Sequence, residues 1–418
     1  MEIETLKHSH VKKNIIIGIV AVLIISAIIL NFTRAKYRVT DSVPLIEGVI
    51  NYSPGDIIIT AYLDDKQLET FPKKGTVSFN SITCDNNATA SFDTTNWQIN
   101  VSNLTQKGTK CDVHFKELMN AKDTILANSP TVLTRDDFSV TVENTTTGTI
   151  YKSLDESQYD NDGEVYYFAG NPTDNWLYFG GYYWRIVRIN GDGSTRLIYS
   201  GTEESKSAGQ ILNSAFNSLY EAYGYSVGVG FTYLVGSQTP ETQNGGKAST
   251  IKTALDTWYD NNLKAYDYMI ATESGFCNDR NMASGYEWEA RPSEEIFYAA
   301  YGRLNTNKSP SLKCNNIYNL YTTKIGLITA DEVAFAGGVA GLKNGNYYLY
   351  TGKNYWTISP CNSARSSDYV YRILSDGGLG NWSVDDSLGV RPVINLSADV
   401  TLSGSGTSTD PYVVEGAA

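Results

Sequence analysis

The sequence is 418 residues long, which is enough for two or three domains that each bury a core of their own. It contains 36 glycine and 30 tyrosine residues, a composition typical of β structure with many turns. Its formal net charge of −12 would repel phosphate backbones, and this argues against nucleic-acid binding.

Histidine is scarce, because the chain has only His8, His10 and His114. A His-based triad and most zinc sites are therefore excluded after His114. The sequence also lacks the common phosphate-binding, dinucleotide-binding, zinc-protease and nucleophile-elbow motifs. It predicts no catalytic residue, no metal and no cofactor, and so favours a protein that is not an enzyme.

The first element along the chain is the uncharged run NIIIGIVAVLIISAIILNF. Its length lies between those of signal-peptide cores and membrane spans. The following NFTRAK offers few small residues for cleavage, so an uncleaved anchor is favoured and cleavage is left open. We expect residues 1–35 to form a cytoplasmic tail and a transmembrane signal anchor that contacts the membrane through residues 15–32. The protein would then cross the cell membrane once, with its N-terminus cytoplasmic and its bulk extracytoplasmic.

All five cysteines follow this run, and extracytoplasmic chains tend to pair their cysteines. Separation along the sequence favours the disulfides Cys84–Cys111 and Cys277–Cys314. Cys361 is then left over, although pairings that involve it stay open. The C-x-x-C spacing of metal sites is absent.

Residues 36–118 carry strand-like segments, GDIIITAYLD, GTVSFNSITC, WQINVSN and KCDVHF, separated by turn-forming residues. We expect a small antiparallel β domain of the sandwich type, closed by the disulfide Cys84–Cys111. His114 alternates with apolar neighbours, so the solvent-facing side of a strand is favoured over a ligand role. Residues 119–150 should form a short helix, in FKELMNAKDTILANSP, and an extended polar connector.

Residues 151–414 are expected to form one large α+β domain with aromatic strands. Residues 184–201, WRIVRINGDGSTRLIYSG, have oxygen-bearing side chains at alternate positions near their centre, as calcium loops do. The glycine and the bidentate glutamate that such a loop needs are missing at Thr195 and Gly201. A β-hairpin is therefore predicted, and its adjacent apolar residues indicate that both faces are covered.

Two helices are predicted within this domain. STIKTALDTWYDNNL has helical apolar spacing with Ser249 or Thr250 as its cap, and RPSEEIFYAAYGRL would be capped by Ser293. Short strands are expected at IGLITA, YYLYTG, YWTISP, DYVYRILSD and GVRPVINL. In LITADEVAFAGG, Thr329 and Glu332 have the spacing of a capping box, which is favoured over an acid/base role for the acidic pair.

The late part of the domain combines small polar residues with tyrosine and tryptophan, as recognition loops do, although solvated loops share this composition. Cys361 lies within it, and a reactive thiolate would need a nearby base or cation. Only Arg365 is at hand, so an unpaired structural cysteine is favoured. The candidate ligand-binding residues are Asn354, Trp356, Asn362, Ser363, Arg365, Asp368, Tyr369, Asn381, Trp382 and Asp385.

Five segments together resemble a known group of proteins: YFGGYYWRIVRINGDGSTRLIY, IGLITADEVAFAGG, YWTISP, GVRPVINL and GSGTSTDPYVV. Over roughly residues 150–414 the chain resembles uncharacterised surface proteins of Firmicutes and Mollicutes. Their C-terminal part is similar to the C-type-lectin-like core shared by formylglycine-generating enzymes and the variable proteins of diversity-generating retroelements. The resemblance implies a C-type-lectin-like fold, and fold alone does not carry function.

The two branches of that superfamily imply different uses of the late region. In the enzymes a pair of late cysteines binds copper and carries the chemistry, whereas Cys361 has no close-spaced partner. In the variable proteins the late loops bind ligands, and the corresponding region here holds Asn354, Trp356, residues 362–369 and residues 381–386. The segment NWSVDD, 381–386, also resembles the Trp-Asn-Asp calcium element of C-type lectins, in a different order and without its partner triplet.

The sequence thus predicts a membrane-anchored extracytoplasmic binding or adhesion protein with a non-catalytic C-type-lectin-like module. The small β domain would hold this module away from the membrane, and the ligand would be an extracellular glycan, protein or envelope component. Two alternatives remain. One is a thiol-dependent, oxidase-like enzyme of the formylglycine-generating type centred on Cys361, and the other is a structural envelope component.

Overall fold

The structure is a computed structural model, and it describes residues 57–74, 76–94, 96–203, 209–218, 226–234, 246–365 and 367–417. The anchor predicted at residues 1–35 lies outside the described residues. Within them, no helix has both the length and the apolar character needed to cross a membrane. The chain divides into two compact units after Phe115, with residues 75–78 grouped with the second unit.

The first unit is built from strands. They are β1 (Ile57–Leu63), β2 (Lys66–Gln67), β3 (Val77–Cys84), β4 (Thr89–Asp93), β5 (Gln98–Ser102) and β6 (Thr109–Glu117). One sheet has the order β2-β1-β6-β3, and β4 and β5 form a separate hairpin. The pair β1–β6 is parallel, so the unit is not wholly antiparallel as predicted.

Aromatic rings and a disulfide hold the first unit together. The rings of Phe92, Trp97 and Phe115 lie 4.9–5.7 Å apart, in stacked and edge-to-face contacts that favour a well-packed core. The predicted disulfide Cys84–Cys111 is present. His114 lies on β6 as predicted, where it is half-buried and stacks on the ring of Tyr62 at 4.9 Å.

The second unit contains the remaining strands. They are β7 (Thr131–Thr134), β8 (Thr145–Thr146), β9 (Thr149–Lys152), β10 (Tyr166–Tyr167), β11 (Asn171–Pro172), β12 (Trp176–Phe179), β13 (Tyr182–Ile189), β14 (Thr195–Gly201), β15 (Leu212–Ala215), β16 (Thr232–Tyr233), β17 (Lys247–Ala248), β18 (Phe276–Cys277), β19 (Ile296–Phe297), β20 (Leu320–Tyr321), β21 (Tyr355–Ala364), β22 (Ser367–Ile373), β23 (Leu379–Ser383), β24 (Ser387–Val390), β25 (Val393–Leu396), β26 (Leu402–Ser403) and β27 (Tyr412–Val414).

Two larger sheets organise these strands in the described chain. A nine-stranded sheet has the order β26-β27-β12-β13-β10-β9-β7, with β14 pairing β13 and β25. A six-stranded sheet has the order β15-β24-β21-β22-β23, with β19 added at β21. The rest form two-stranded pairs. The second unit is therefore rich in strands with few helices, an α+β-like arrangement that agrees with the predicted class at this level.

The segment predicted as helix and connector, residues 119–150, belongs to the second unit. Its helix buries Ala121 and Ile125 completely in the main core. Its extended part supplies β7, which pairs in parallel with β9. These residues are thus part of the large unit and not a separate connector.

The helices of the second unit are short. They are α1 (Ala121–Asn128), α2 (Thr250–Asn262), α3 (Ala299–Tyr301) and α4 (Ala330–Phe335), with 3₁₀ turns at Ser226–Val229, Lys264–Met269 and Ile317–Asn319 and a π turn at Gly302–Asn307. The side chain of Ser249 caps α2 by accepting a hydrogen bond from the Lys252 N–H at 3.3 Å, as predicted. The capping box predicted at α4 is also present.

Three local predictions are wrong. The helix predicted from Ser293 begins only at Ala299, because Ile296 and Phe297 instead pair with β21 and extend the six-stranded sheet. The strand predicted at IGLITA is reduced to one bridge between Gly326 and Val393, and YYLYTG forms turns. Pairing with a distant strand replaces the predicted helix in the first case. In the other two, the segments find too little pairing with distant strands to form the predicted strands.

The predicted hairpin is the centre of the second unit. Strands β13 and β14 pair in antiparallel fashion, β25 pairs with the other edge of β14, and every residue of β14 is buried. The turn is closed by a hydrogen bond from the Asn190 N–H to the Ser194 carbonyl at 2.8 Å. One oxygen of the Asp192 carboxylate serves the turn by accepting from the Ser194 N–H and hydroxyl at 2.8 and 2.6 Å, while its other oxygen accepts from the Ser274 hydroxyl at 2.6 Å.

Candidate functional site

The predicted ligand residues lie on one part of the six-stranded sheet, around the neighbouring strands β21, β22 and β23. Register places Ser363 opposite Asp368, Asn362 opposite Tyr369, and Val370 opposite Trp382. Because successive side chains of a strand point to opposite faces, these pairs cannot share one surface. The structure therefore divides the predicted residues between two faces of the sheet.

One face contains Asn362, Tyr369 and Asn381. Asn362 is buried, donating to the Glu295 carboxylate at 2.6 Å and accepting from the Asn381 amide at 2.7 Å. Asn381 also donates to the sulfur of Cys361 at 3.4 Å. The NH2 groups of both amides are thus engaged in fixing the edge of the sheet; Asn362 is buried there, whereas Asn381 is exposed.

Two predicted residues have structural partners, and two others lie on loops. Trp356 is fully buried, its indole N–H donates to the Ser214 carbonyl at 2.8 Å, and its burial removes it from contact with a surface ligand. The Asn354 side chain accepts from the Ser375 N–H at 2.9 Å. Arg365 is exposed in the turn between β21 and β22, and Asp385 is exposed in the turn after β23.

The opposite face carries an exposed tryptophan. The side chain of Trp382 is 42% exposed on the edge strand β23. The guanidinium of half-buried Arg372, on the adjacent strand, lies 3.9 Å from the centre of its ring. Asp385 and Asp386 follow in the exposed turn. We call Arg372, Trp382, Asp385 and Asp386 the Trp382 face.

Asp368 lies on the same face of β22 but is buried, with 1% of its surface exposed. Neither carboxylate oxygen has a hydrogen-bond partner among the described residues. Its cross-strand neighbour Ser363 instead has its hydroxyl 3.0 Å from the hydroxyl of Tyr298. Burial raises the pKa of Asp368 to about 8, against the effect of Ser363 and with a small contribution from Asp385. At neutral pH this carboxyl is therefore mostly protonated.

Cys361 is buried and unpaired, as predicted. Burial raises the pKa of its thiol to about 12, although Tyr371 and Asn381 act in the opposite direction. The thiolate is the reactive form of cysteine, so the thiol is almost unreactive at neutral pH.

A second polar region, which the sequence analysis missed, lies at the centre of the same unit. Glu332, at the start of α4, uses one carboxylate oxygen to close the capping box by accepting from the Thr329 N–H at 2.8 Å. Its other oxygen accepts from Arg188 on β13 at 2.9 Å and from Arg196 on β14 at 2.7 Å. Arg188 also pairs with Asp160 at 2.8 Å. Burial raises the pKa of Glu332, but the two arginines outweigh it and lower the pKa overall.

The neighbouring residue of α4 makes a second ion pair. Asp331 receives two hydrogen bonds from Arg303, both at 2.9 Å, in the bidentate geometry that suits a guanidinium and a carboxylate. Arg303 also donates to Asp279 at 2.8 Å. Burial lowers the pKa of Arg303, but Asp331 outweighs this effect and raises it overall. The adjacent carboxylates of α4 thus serve different arginines, and neither is free to act as an acid or base.

A signal for this network was present in the sequence. Arg188 and Arg196 alternate with apolar residues in the two strands predicted to be covered on both faces. A charge in such a strand needs a buried partner, because an unpaired charge in the interior is very costly. Among the described residues, no group of histidine, cysteine and acidic side chains could hold a metal ion.

The disulfide Cys277–Cys314 is present beside this network, as predicted. Comparison with known proteins adds no relative. No protein-family model matches the chain, and no curated protein or solved structure is detectably similar to it.

Proposed function

We propose that this chain is a membrane-anchored extracytoplasmic protein that binds an extracellular ligand through the Trp382 face without catalysing a reaction. The ligand is a glycan, a protein or an envelope component. The anchor is the apolar run at residues 15–32, and a C-type-lectin-like fold for the second unit is part of the proposal.

The observation that carries the proposal is the exposure of Trp382 in a fixed position. A large aromatic ring that remains 42% exposed on an edge strand costs hydrophobic stabilisation unless a partner covers it. Tryptophan and arginine are the residues that most often dominate binding energy at interfaces. Here Arg372 lies against the ring and holds its orientation before a ligand arrives.

The surroundings of the ring support recognition of a polar ligand. Asp385 and Asp386 are exposed beside it and can accept hydrogen bonds. Asp368, on the same face, is a buried carboxyl with a strongly raised pKa, a property that is common at functional sites.

The two disulfides support the proposed compartment. Disulfides such as Cys84–Cys111 and Cys277–Cys314 form and persist in oxidising compartments and are rare in the cytosol. Both units carry one, which supports an extracytoplasmic location for the bulk of the chain.

The state of Cys361 argues against the thiol-dependent alternative. Such an enzyme needs an accessible thiolate, whereas this side chain is 2% exposed and the pKa of its thiol is raised to about 12. A binding role needs no such group.

The test is a binding screen of the full chain against glycan arrays, matrix proteins and bacterial envelope fractions. The substitution Trp382→Ala should weaken binding to any ligand found by about 30-fold, the effect of losing an interfacial anchor worth about 2 kcal/mol. Tyr268→Ala is the matched control, because Tyr268 is 71% exposed on a different segment.

The melting temperature of each variant shows whether it remains folded. The proposal fails if the unaltered chain binds nothing in the screen, or if Trp382→Ala and Tyr268→Ala bind a ligand equally well.

A further inference from the structure

The buried ion pairs of the second unit surround a cavity that the proposed function does not use. Its volume is about 80 Å³, room for roughly three water molecules at about 30 Å³ each. The deep wall is formed by Arg188, Arg196 and Arg303 with Asp279, Asp331 and Glu332. The mouth lies at the surface, where Asp162, Glu273 and Lys313 are exposed.

The wall keeps its shape without a ligand. Each of its arginines is bonded to at least one carboxylate, and Arg196 also donates to the side chain of Asn395 at 2.9 Å. The disulfide Cys277–Cys314 lines one side of the cavity. Side chains fixed in this way give a pre-organised site, which lowers the entropic cost of binding.

The wall nevertheless retains hydrogen-bonding capacity. Arg303 spends one N–H of each terminal nitrogen on Asp279 and Asp331, so each of these nitrogens keeps a second N–H. The outer oxygens of Asp279 and Asp331 each accept a single hydrogen bond and can accept another. The hydroxyl of Ser359, also on the wall, accepts from the Ala330 N–H at 2.9 Å and can still donate. Donors and acceptors therefore alternate around the cavity.

The charge of the wall selects against ions. The deep wall sets three arginines against three carboxylates, and the mouth adds Lys313, Asp162 and Glu273, so the charges nearly balance. A bound anion would therefore compete with the carboxylates for arginine, and a bound cation would compete with arginine for the carboxylates. Removing an ion from water is costly unless the site supplies excess opposite charge. Among the described residues, no aromatic ring lines the cavity, so it also lacks the faces that bind quaternary ammonium groups.

Hydroxyl groups fit such a wall, because each hydroxyl both donates and accepts. Their hydrogen bonds to ionised groups are stronger than those between neutral groups. A few neighbouring hydroxyls of a compact molecule can replace the waters for which the cavity has room, while the rest of the molecule lies at the mouth.

We propose that this cavity binds neighbouring hydroxyl groups of a small neutral polyhydroxylated molecule, a monosaccharide or a polyol, between the arginine–carboxylate pairs of Glu332, Asp331 and Arg303. This site is separate from the Trp382 face, and it can be present whether or not that face binds a ligand.

The test is calorimetric titration of the full chain with D-glucose, D-galactose and D-mannitol, and with sodium acetate and ethylammonium chloride as charged compounds of small size. We expect at least one of the three neutral compounds to bind more tightly than either ion. The proposal is overturned if none of the three binds with a dissociation constant below roughly 10 mM, or if an ion binds more tightly.

Substitutions at the mouth place the binding in this cavity. Lys313→Trp should weaken binding at least tenfold by covering the mouth, whereas Lys313→Ala, which leaves the mouth open, should retain it. Lys343→Trp is the matched control, because Lys343 is an exposed lysine whose side chain is 84% accessible and does not line the cavity. Equal binding by Lys313→Trp and Lys343→Trp would overturn the assignment. Should Lys313→Trp fail to fold, the comparison of neutral compounds with ions decides the proposal by itself.

Discussion

Glu332 and Asp368 are both carboxylic acids buried in the second unit, with 1% of their surface exposed, and they have opposite properties. Glu332 accepts hydrogen bonds from two arginines and a backbone N–H, and its pKa is lowered overall. The oxygens of Asp368 have no partner among the described residues, and burial raises its pKa to about 8.

The comparison shows that burial alone does not determine the state of an acid. Loss of water disfavours the carboxylate in both places, and only the arrangement of cations and N–H donors reverses the effect. Glu332 therefore stabilises the fold in its ionised form, whereas ionisation of Asp368 destabilises the fold.

The largest expected effect comes from removing the charge of Glu332. The isosteric change Glu332→Gln leaves Arg188 and Arg196 buried without their shared carboxylate, and breaking a buried ion pair in this way costs about 3–5 kcal/mol. Denaturant unfolding measures the loss. Glu294→Gln, at an exposed glutamate, is the control. A loss no larger than that of the control would show that the arginines do not depend on Glu332.

Removing the charge of Asp368 should stabilise the protein, whereas removing the charge of Glu332 destabilises it. Because the pKa of Asp368 is about 8 when folded and about 3.9 when unfolded, the folded protein retains a proton that the unfolded chain releases between these values. The free energy of unfolding should therefore fall as pH rises from about 4 to about 8.

The variant Asp368→Asn cannot ionise and should escape this loss. We expect it to be more stable than the unaltered chain by about 3 kcal/mol at pH 6.5, and the two to converge near pH 4. Unfolding titrations across this range test the difference, with Asp399→Asn at an exposed position as control. A pH dependence identical in Asp368→Asn and the unaltered chain would contradict the assignment.

A smaller loss of stability should distinguish the helix cap at Thr329 from the ion pairs of Glu332 with the arginines. Thr329→Ala removes the hydroxyl that accepts from the Glu332 N–H at 3.0 Å but keeps the backbone N–H that binds the carboxylate. Loss of a helix cap costs about 1 kcal/mol, well below the cost of Glu332→Gln. If denaturant unfolding gave the two variants equal losses, the cap and not the arginines would hold Glu332.

The smallest expected effect is the alkylation of Cys361, whose sulfur lies on the opposite face of the sheet from Trp382. With a pKa of about 12 for its thiol and 2% exposure, Cys361 should resist alkylation by iodoacetamide while the protein is folded, from pH 6 to pH 9. Mass spectrometry after labelling measures this, and unfolding in denaturant should restore the reaction. Rapid labelling of the folded chain would reopen the thiol-dependent alternative.

Sequence patterns identify the local features of this protein well. The hairpin around Asn190, the cap at Ser249 and the capping box at Thr329 depend on neighbouring residues, and all three are present. The two disulfides were also predicted. The first three features are determined by the spacing of residues within a short segment, and five cysteines allow only a small number of disulfide pairings.

Features that depend on distant pairing were not predicted. Ile296 and Phe297 look helical locally, yet they extend a sheet because β21 offers them a free edge. Trp356 lies in a segment whose composition is typical of a recognition loop, but its side chain packs in the core. The predicted ligand residues fell on two faces because their register with one another, which determines the face, is set by three strands together.

The parallel pairing of β12 with β27 has a consequence for how the protein is made. Leu177 lies beside Tyr412, so an early part of the second unit completes its sheet only with one of the last strands of the chain. At ordinary rates of synthesis, the intervening chain takes on the order of tens of seconds to appear. During that time the apolar edge around Leu177 is uncovered, and contacts of such long range also form slowly. The sheet edge at Leu177 is therefore among the last parts of the second unit to be completed during synthesis.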